Sequence, residues 1–394
     1  MTYKKITLVL IVFLFLISLT GCWDKGELNE SAIVVAMGID RNENNGDIDM
    51  TLQFIRPGAL NQQQGSNESP YDVINASGES FLETVKKANE KLDRKLSFAH
   101  LKTIIIGEKM AKTGVTEFTD YLLRTFEMRQ STLIAVTPNN VSQVLAAKHG
   151  IENVQATYME GIVKTQKSMF NSSTTDVLHF INKMETKGLN PVTGVFTLLN
   201  QQDISFNDEP QRKTGLLYSG TAVFRADKLV GYLNSRETRG LNYIINGKSG
   251  GYVLVPSPND KSSKVSIELS KIKNKITPIR MNGSLTFCIH VEAEGNIAEI
   301  TDRSAVSKQD VLKKINQKFT DSITKDIRST VNRSQKKLKT DILGFGRAYE
   351  KSYPSEWDKV KDQWASSFPT VPFKVKVKTE IKKTGLQINP LGTK

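Results

Sequence analysis

The sequence predicts a mixed α/β protein of more than one domain, and three observations carry that expectation. The chain has 394 residues, longer than the ~100–200 of a common single domain. Between Asp72 and Lys148 short apolar runs alternate with stretches of helical period, the rhythm of a sheet layered with helices. In the second half, strict apolar–polar alternation recurs at Ser284–Glu292 and Phe373–Ile381, as expected of half-buried strands. An apolar content of 38% with 24% charged residues and 17 Phe excludes general disorder, a collagen-like fibre and a polytopic membrane protein.

Two lysines precede Ile6–Leu19, an apolar run of 14 residues broken only by Thr7 and Ser18. A spanning helix needs about 20, so this short run reads as an export signal. Leu19-Thr20-Gly21-Cys22 matches a lipobox: small residues admit the signal peptidase, and the Cys22 thiol is alkylated by diacylglycerol before cleavage. An ordinary secretory signal with a chance cysteine, or an uncleaved anchor, is the alternative. Removal of the signal peptide, residues 1–21, would leave Cys22 as an S-diacylglycerol, N-acyl cysteine. Two or three acyl chains anchor stably where one does not. The net charge of +13 would suit nucleic acid, an anionic membrane or an acidic wall polymer. Export makes nucleic acid an unexpected partner and favours an anionic leaflet.

Trp23–Glu30 is a polar tether. Ala32–Ile39 and the alternating Ile48–Phe54 read as paired strands around the turn Asn42–Gly46, and Asn61–Pro70 as a low-complexity loop. Asp72–Ala76 reads as a strand, and Ser80 with Glu83 as a capping box opening a helix to about Leu96. Leu101–Ile106 and Leu133–Val136 read as strands, Thr116–Met128 and Val141–Lys148 as helices, the latter with Gly150 as its C-cap. Two helical stretches follow between Glu152 and Lys187, the second stopped by Gly188. Asn200–Lys213 is polar and contains Pro210, placing the main division there: an N-terminal α/β region over 22–205 and a C-terminal one over 213–394.

Beyond it, Thr214–Phe224 and Leu229–Leu233 form a hairpin, Asn234 and Glu237 cap a helix, and Tyr252–Val255 and Val265–Leu269 are strands. From Lys308 to Asp341 an apolar row runs at steps of four from Val311 to Val331. Each step drifts ~40°, so the ends of the row stand about 200° apart and need cover on more than one side. That stretch has ten Lys and Arg against four Asp. It reads either as a solvated basic face or as a patch for a membrane or partner.

No catalytic signature is present in the sequence. The chain has two cysteines, Cys22 and Cys288, so a disulfide framework and a four-cysteine zinc site are excluded. No pair among His100, His149, His179 and His290 has metal-ligand spacing, so no metal or cofactor is expected. Cys288 and His290 share one strand face and could be a nucleophile and base; no third orienting group accompanies them, and they read as polar-side residues of a half-buried strand. Gly344-Phe345-Gly346-Arg347 lacks the third glycine and preceding strand of a dinucleotide loop and reads as a helix stop. His100 reads as a strand-entry residue.

Several segments together resemble the Ger(x)C family of spore germination receptor lipoproteins, the C subunits of nutrient receptors in endospore-forming bacteria. They are Gly21-Cys22-Trp23-Asp24 with Glu27, Met37-Gly38-Ile39-Asp40, Phe98–Lys102 leading into Ile104–Glu108, Gly220–Phe224 with Lys228–Leu233 and Glu237–Gly240, and Gly344–Arg347 with Trp357 and Trp364. The resemblance implies an α+β architecture of three domains, each a β-sheet flanked by helices. It also implies a non-enzymatic subunit without catalytic residues, held by lipidated Cys22 on the outer face of the spore inner membrane beside a membrane-spanning A subunit and a polytopic B subunit. The alternatives are an extracytoplasmic solute-binding lipoprotein, with a ligand cleft between two lobes, and an envelope enzyme acting on wall polymer.

Overall fold

The computed structural model describes residues 31–383 except 57–69, 125–127, 148–151, 153, 168, 200–214, 246, 248–249, 259, 261, 282 and 302–308, together with Tyr3 and Ile6. Cys22, His149, Gly150, most of the Asn61–Pro70 loop and the Asn200–Lys213 segment lie outside the described residues.

The first strands are β1 (Ser31–Arg41), β2 (Ile48–Ile55) and β3 (Tyr71–Gly78), followed by helix α1 (Phe81–Asn89). Glu83 N–H donates to Ser80 Oγ at 3.3 Å, while the Glu83 carboxylate reaches back to Glu79 N–H at 2.9 Å, one residue before the N-cap. The helix stops at Asn89 rather than near Leu96, because Asn89 Oδ1 accepts the Leu96 N–H and starts β4 (Lys95–Ser97). Then come β5 (Thr103–Gly107), α2 (Glu108–Thr113), α3 (Thr116–Arg124), β6 (Leu133–Thr137), α4 (Val141–Ala146), α5 (Gln155–Lys167), β7 (Thr175–Asp176), α6 (Val177–Glu185) and β8 (Val192–Leu198). The hairpin β9 (Leu216–Arg225) and β10 (Lys228–Leu233) precedes α7 (Ser235–Ile245).

These strands form one ten-stranded sheet in the order β10-β9-β8-β6-β5-β1-β2-β3, with β4 beside β1 and β7 beside β6. Its centre, β8-β6-β5-β1, is parallel, and antiparallel strands flank it on both sides. Buried on both faces, β5 reads as Thr-Ile-Ile-Ile-Gly with every residue inside, as a central parallel strand should. Phe81, Met110, Phe118 and Phe180 cover one face and Val141, Val144, Ala156 and Met159 the other. The division expected at 205–213 thus falls between two hydrogen-bonded neighbours, β8 and β9.

A second sheet, β11 (Tyr252–Pro256), β12 (Lys264–Met281), β13 (Ser284–Ile300) and β14 (Phe373–Lys383), runs in that order, with β13 and β14 parallel. Helix α8 (Gln309–Asn332) lies on its inner face and continues into a six-residue π-helical turn, Arg333–Leu338. The winding row Val311, Ile315, Phe319, Ile323, Ile327 and Val331 is wholly buried, between this sheet and α7. Of the readings of this stretch, its apolar row is therefore internal cover, and its exposed residues are polar, with Lys313, Lys314, Lys325 and Arg328 of α8 beside Asp310 and Asp321. Short helices α9 (Phe345–Ser352), α10 (Pro354–Val360) and α11 (Trp364–Ser367) close the core.

Candidate functional site

The residues quoted for the family resemblance gather at four places. At the carboxyl ends of β1 and β5, Gly107 touches Asp40 so closely that a Cβ there would stand 2.1 Å from its carboxyl carbon, and a Cβ on Gly38 would meet Val141 at 2.1 Å. Asp40 Oδ1 accepts the Met110 N–H at 3.0 Å and the Arg41 N–H at 2.9 Å. Burial pushes its carboxyl up, and these two donors oppose that. A polar cleft of about 490 Å³ opens beside it, lined by Asp40, Asn42, Asp49, Asn75, Lys91 and Asn140 among others. Chain order switches direction between β1 and β5, which is where α/β sheets form crevices. The cleft offers hydrogen-bonding groups and no nucleophile–base pair.

At the opposite, amino end of the same strands, Phe98–Lys102 enters β5. Lys102 N–H donates to Val35 O and Lys102 O accepts from Leu133 N–H, both at 2.9 Å, which ties the segment between β1 and β6. Its Nζ reaches Thr157 Oγ1 at 3.2 Å and Glu160 at 3.3 Å. His100 is exposed. A groove of about 560 Å³ runs here over Ile33, Val35, Ile55 and Leu101, with His100, Lys102 and Arg129 on its rim.

The third place joins the two sheets. Gly220 and Gly231 sit at φ 85° and 147°, in the region glycine favours, and Thr221 links Ser173 at 2.8 Å and Thr238 at 2.9 Å. Asn234 and Glu237 cap α7 reciprocally, at 2.9 and 3.1 Å. Arg236 and Arg239 then reach across to Asp326 of α8 at 2.7 and 3.2 Å, an aspartate whose side chain is only 3% exposed. Gly240 allows that crossing.

At the fourth, Gly344–Arg347 is a helix start, which corrects the expected helix stop. The buried Asp341 carboxylate accepts N–H groups from Leu343 (3.1 Å), Gly344 (2.9 Å), Phe345 (3.2 Å) and Gly346 (2.8 Å), and the Trp364 indole N–H at 3.0 Å. Burial pushes this carboxyl up, and the N–H groups of Gly346, Trp364, Phe345 and Gly344 oppose that. Trp364 belongs to an aromatic cluster in which Phe287 stacks on Phe345 with ring centroids 4.5 Å apart and Trp357 meets Trp364 edge to face. A recess of about 320 Å³ between the two sheets is lined by Arg225, Lys339 and Asp341; the Lys187–Asp362 ion pair at 2.5 Å stands beside it.

Cys288 and His290 do share the outer face of β13, half-buried, opposite Thr277 and Lys374, and Lys275 and Lys376. No orienting carboxylate bonds to them among the described residues. His179 pairs with the Asp176 carboxylate at 2.7 Å. Among the described residues no group of three His, Cys, Asp or Glu is placed to hold a metal, and no helix is long and apolar enough to cross a membrane. Asp341 and Asp326 were not singled out by sequence; an acidic residue set inside an apolar row, as Asp326 is between Ile323 and Ile327, is the signal that marks the second.

Comparison with known proteins covers most of the chain. Residues 24–198 match the family model of the spore germination protein N-terminal domain, and residues 219–385 that described as spore germination B3/GerAC like, C-terminal. Spore germination protein KC of Bacillus subtilis is 27% identical over 98% of both chains. Spore germination protein B3 of Bacillus subtilis is 24% identical over 94% of this chain and 96% of its own. Spore germination protein GerQC of Bacillus cereus is 22% identical over 97% and 99%. The crystal structure of the GerBC protein shares the fold, with a TM-score of 0.53 and 20% identity over 88% of this chain and 96% of that one. With both of its halves matched, in order and at full length, the chain belongs to the Ger(x)C family of spore germination proteins.

Proposed function

We propose that this protein is the lipid-anchored subunit of a spore nutrient germinant receptor, required for the germination response and acting by assembly with its partners rather than by catalysis. The observation that carries this reading is the end-to-end correspondence with spore germination proteins joined to a lipobox cysteine separated from β1 by only eight residues. Diacylglyceryl-Cys22 would hold the two sheets at the outer face of the spore inner membrane. Confinement to that surface raises their effective concentration near membrane-embedded A and B subunits.

The test is extraction of spore membranes in mild detergent, with this chain tagged at its C-terminus. Recovery of a polytopic and a second membrane-spanning protein, both lost when the tagged chain is absent, is the expected result. Recovery of the chain alone, with saturable binding of an amino acid or sugar by the isolated protein, would instead favour a solute-binding lipoprotein.

A further inference from the structure

We propose that the outer face of the second sheet docks an acidic, extended segment of a protein partner. The inference builds on the reading of this chain as one that acts by assembly, and it adds where on the molecule a partner sits and by what chemistry it is held.

Strand register places the surface. The core lies on one side of the second sheet, and on the other side β12, β13 and β14 align their outward residues in rows. Three successive rows hold Thr277, Cys288 and Lys374; then Lys275, His290 and Lys376; then Lys273, Glu292 and Lys378. All five lysines are exposed, and Cys288 and His290 between them are half-buried. Residues two apart on one strand are ~6.6 Å apart, and β12 and β14, with β13 between them, are separated by about 10 Å. The lysines of β12 and those of β14 therefore form two rails of cations along a trough whose floor is Cys288, His290 and Glu292.

Charge gives the surface its sign. Glu292 is the one acid in these three rows, and neither it nor any of the five lysines forms an ion pair among the described residues. In the next row the charges cancel: Lys271 pairs with Glu294 at 3.6 Å, and Glu380 with Lys382 at 2.7 Å. Farther along, Glu268 and Glu299 outweigh Lys264. The surplus of cations thus belongs to the end of the sheet next to the β12–β13 turn. Like charges side by side on one sheet face repel, a cost that an acidic partner relieves.

Spacing and polarity select the occupant. An extended polypeptide sets alternate side chains on one face at the same ~6.6 Å repeat as the rails. A segment with Asp or Glu at every second position would therefore lay one carboxylate beside each step. Lysine ammonium groups on flexible stems each carry three donors, so carboxylates along the trough can be met from either rail. Between the rails stand a hydroxyl, a thiol, an imidazole and a carboxylate, and no apolar side chain that would enter an acyl layer.

The test uses the unlipidated mature chain carrying Cys22→Ala, in which Cys288 is the one thiol, and a synthetic peptide of alternating Glu and Thr. The peptide is expected to bind at low salt, to weaken as salt screens the rails, and to slow alkylation of Cys288 by iodoacetamide. K275E/K376E is expected to weaken binding about tenfold or more, because an exposed ion pair contributes up to about fivefold and each reversal puts repulsion in its place. K95E/R129E, the same charge change at exposed positions of the large sheet, is expected to bind as the parent does. Equal losses in both variants, or peptide binding that leaves Cys288 alkylation unchanged, would overturn the proposal. So would stronger protection of Cys288 by polyphosphate or by phosphatidylglycerol vesicles than by the peptide, which would assign the rails to a phosphate polymer or to a leaflet. Circular dichroism of each variant excludes unfolding as the cause. Because every component is purified, the outcome is separate from whether receptor subunits are recovered with this chain from spores.

Discussion

Asp341→Ala is expected to lower the unfolding free energy by about 4 kcal/mol, among the largest single-residue effects in this fold. The carboxylate gathers four consecutive backbone N–H groups at the start of α9 and the Trp364 indole N–H, all between 2.8 and 3.2 Å. Alanine would leave those donors buried without acceptors, and each such group costs about 1–3 kcal/mol. Asp341→Asn should cost less, because one oxygen still accepts, but its NH₂ would face N–H donors. Urea unfolding checks this: the midpoint should fall in the order parent, Asn, Ala, with an unchanged slope. A midpoint for alanine equal to the parent's would show that the Asp341 cluster does not hold the C-terminal core together.

Gly240→Ala is the second. A Cβ here would stand 2.1 Å from Thr330 Oγ1 and 2.4 Å from the Asp326 carbonyl oxygen. The second clash is with helix backbone, so α7 and α8 must separate. Separation also pulls Arg236 and Arg239 away from Asp326 and strips the Thr330 hydroxyl from Glu237 O, now at 2.6 Å. The expected cost is about 3 kcal/mol, at the upper end for overpacking. Gly161→Ala in α5 is the control, since a Cβ there meets nothing within 4 Å and a helical glycine gains up to about 1 kcal/mol on becoming alanine. Thermal unfolding of the two variants should therefore shift in opposite directions.

These two positions show what was legible in the sequence and what was not. Strands β1, β5 and β6 were readable because central strands carry runs of apolar residues that nothing else explains, β2 because Ile48, Met50, Leu52 and Phe54 alternate with polar residues, and the Asn234–Glu237 cap because its partners are three residues apart. β8 was missed. Pro191 precedes it and Gly194 interrupts it, and both weaken a strand pattern; yet Gly194 is required, as a Cβ there would lie 2.0 Å from Tyr218 Oη. Gly344–Arg347 was read in the wrong direction because glycines mark both helix ends, and the residue that decides it, Asp341, acts through backbone N–H groups that leave no trace in composition. The winding row of α8 correctly demanded cover on two sides, but only the fold shows that α7 and the second sheet supply it. Likewise Asp40 and His100 were both noticed as parts of a resemblance. That they mark opposite ends of one sheet follows from strand order and direction.

Much of the family pattern therefore describes packing: Gly38, Gly107, Gly220, Gly240 and Gly346 each permit a close approach or a turn. Cys22 lies outside the described residues, and the receptor reading turns on its lipidation. The most direct test of the receptor reading is Cys22→Ala in the native host, followed by fractionation of spores and germination on a panel of nutrients. The account predicts that the chain leaves the membrane fraction and that the response to one nutrient class is lost while others persist. Normal responses to every nutrient, with the chain detached, would contradict it.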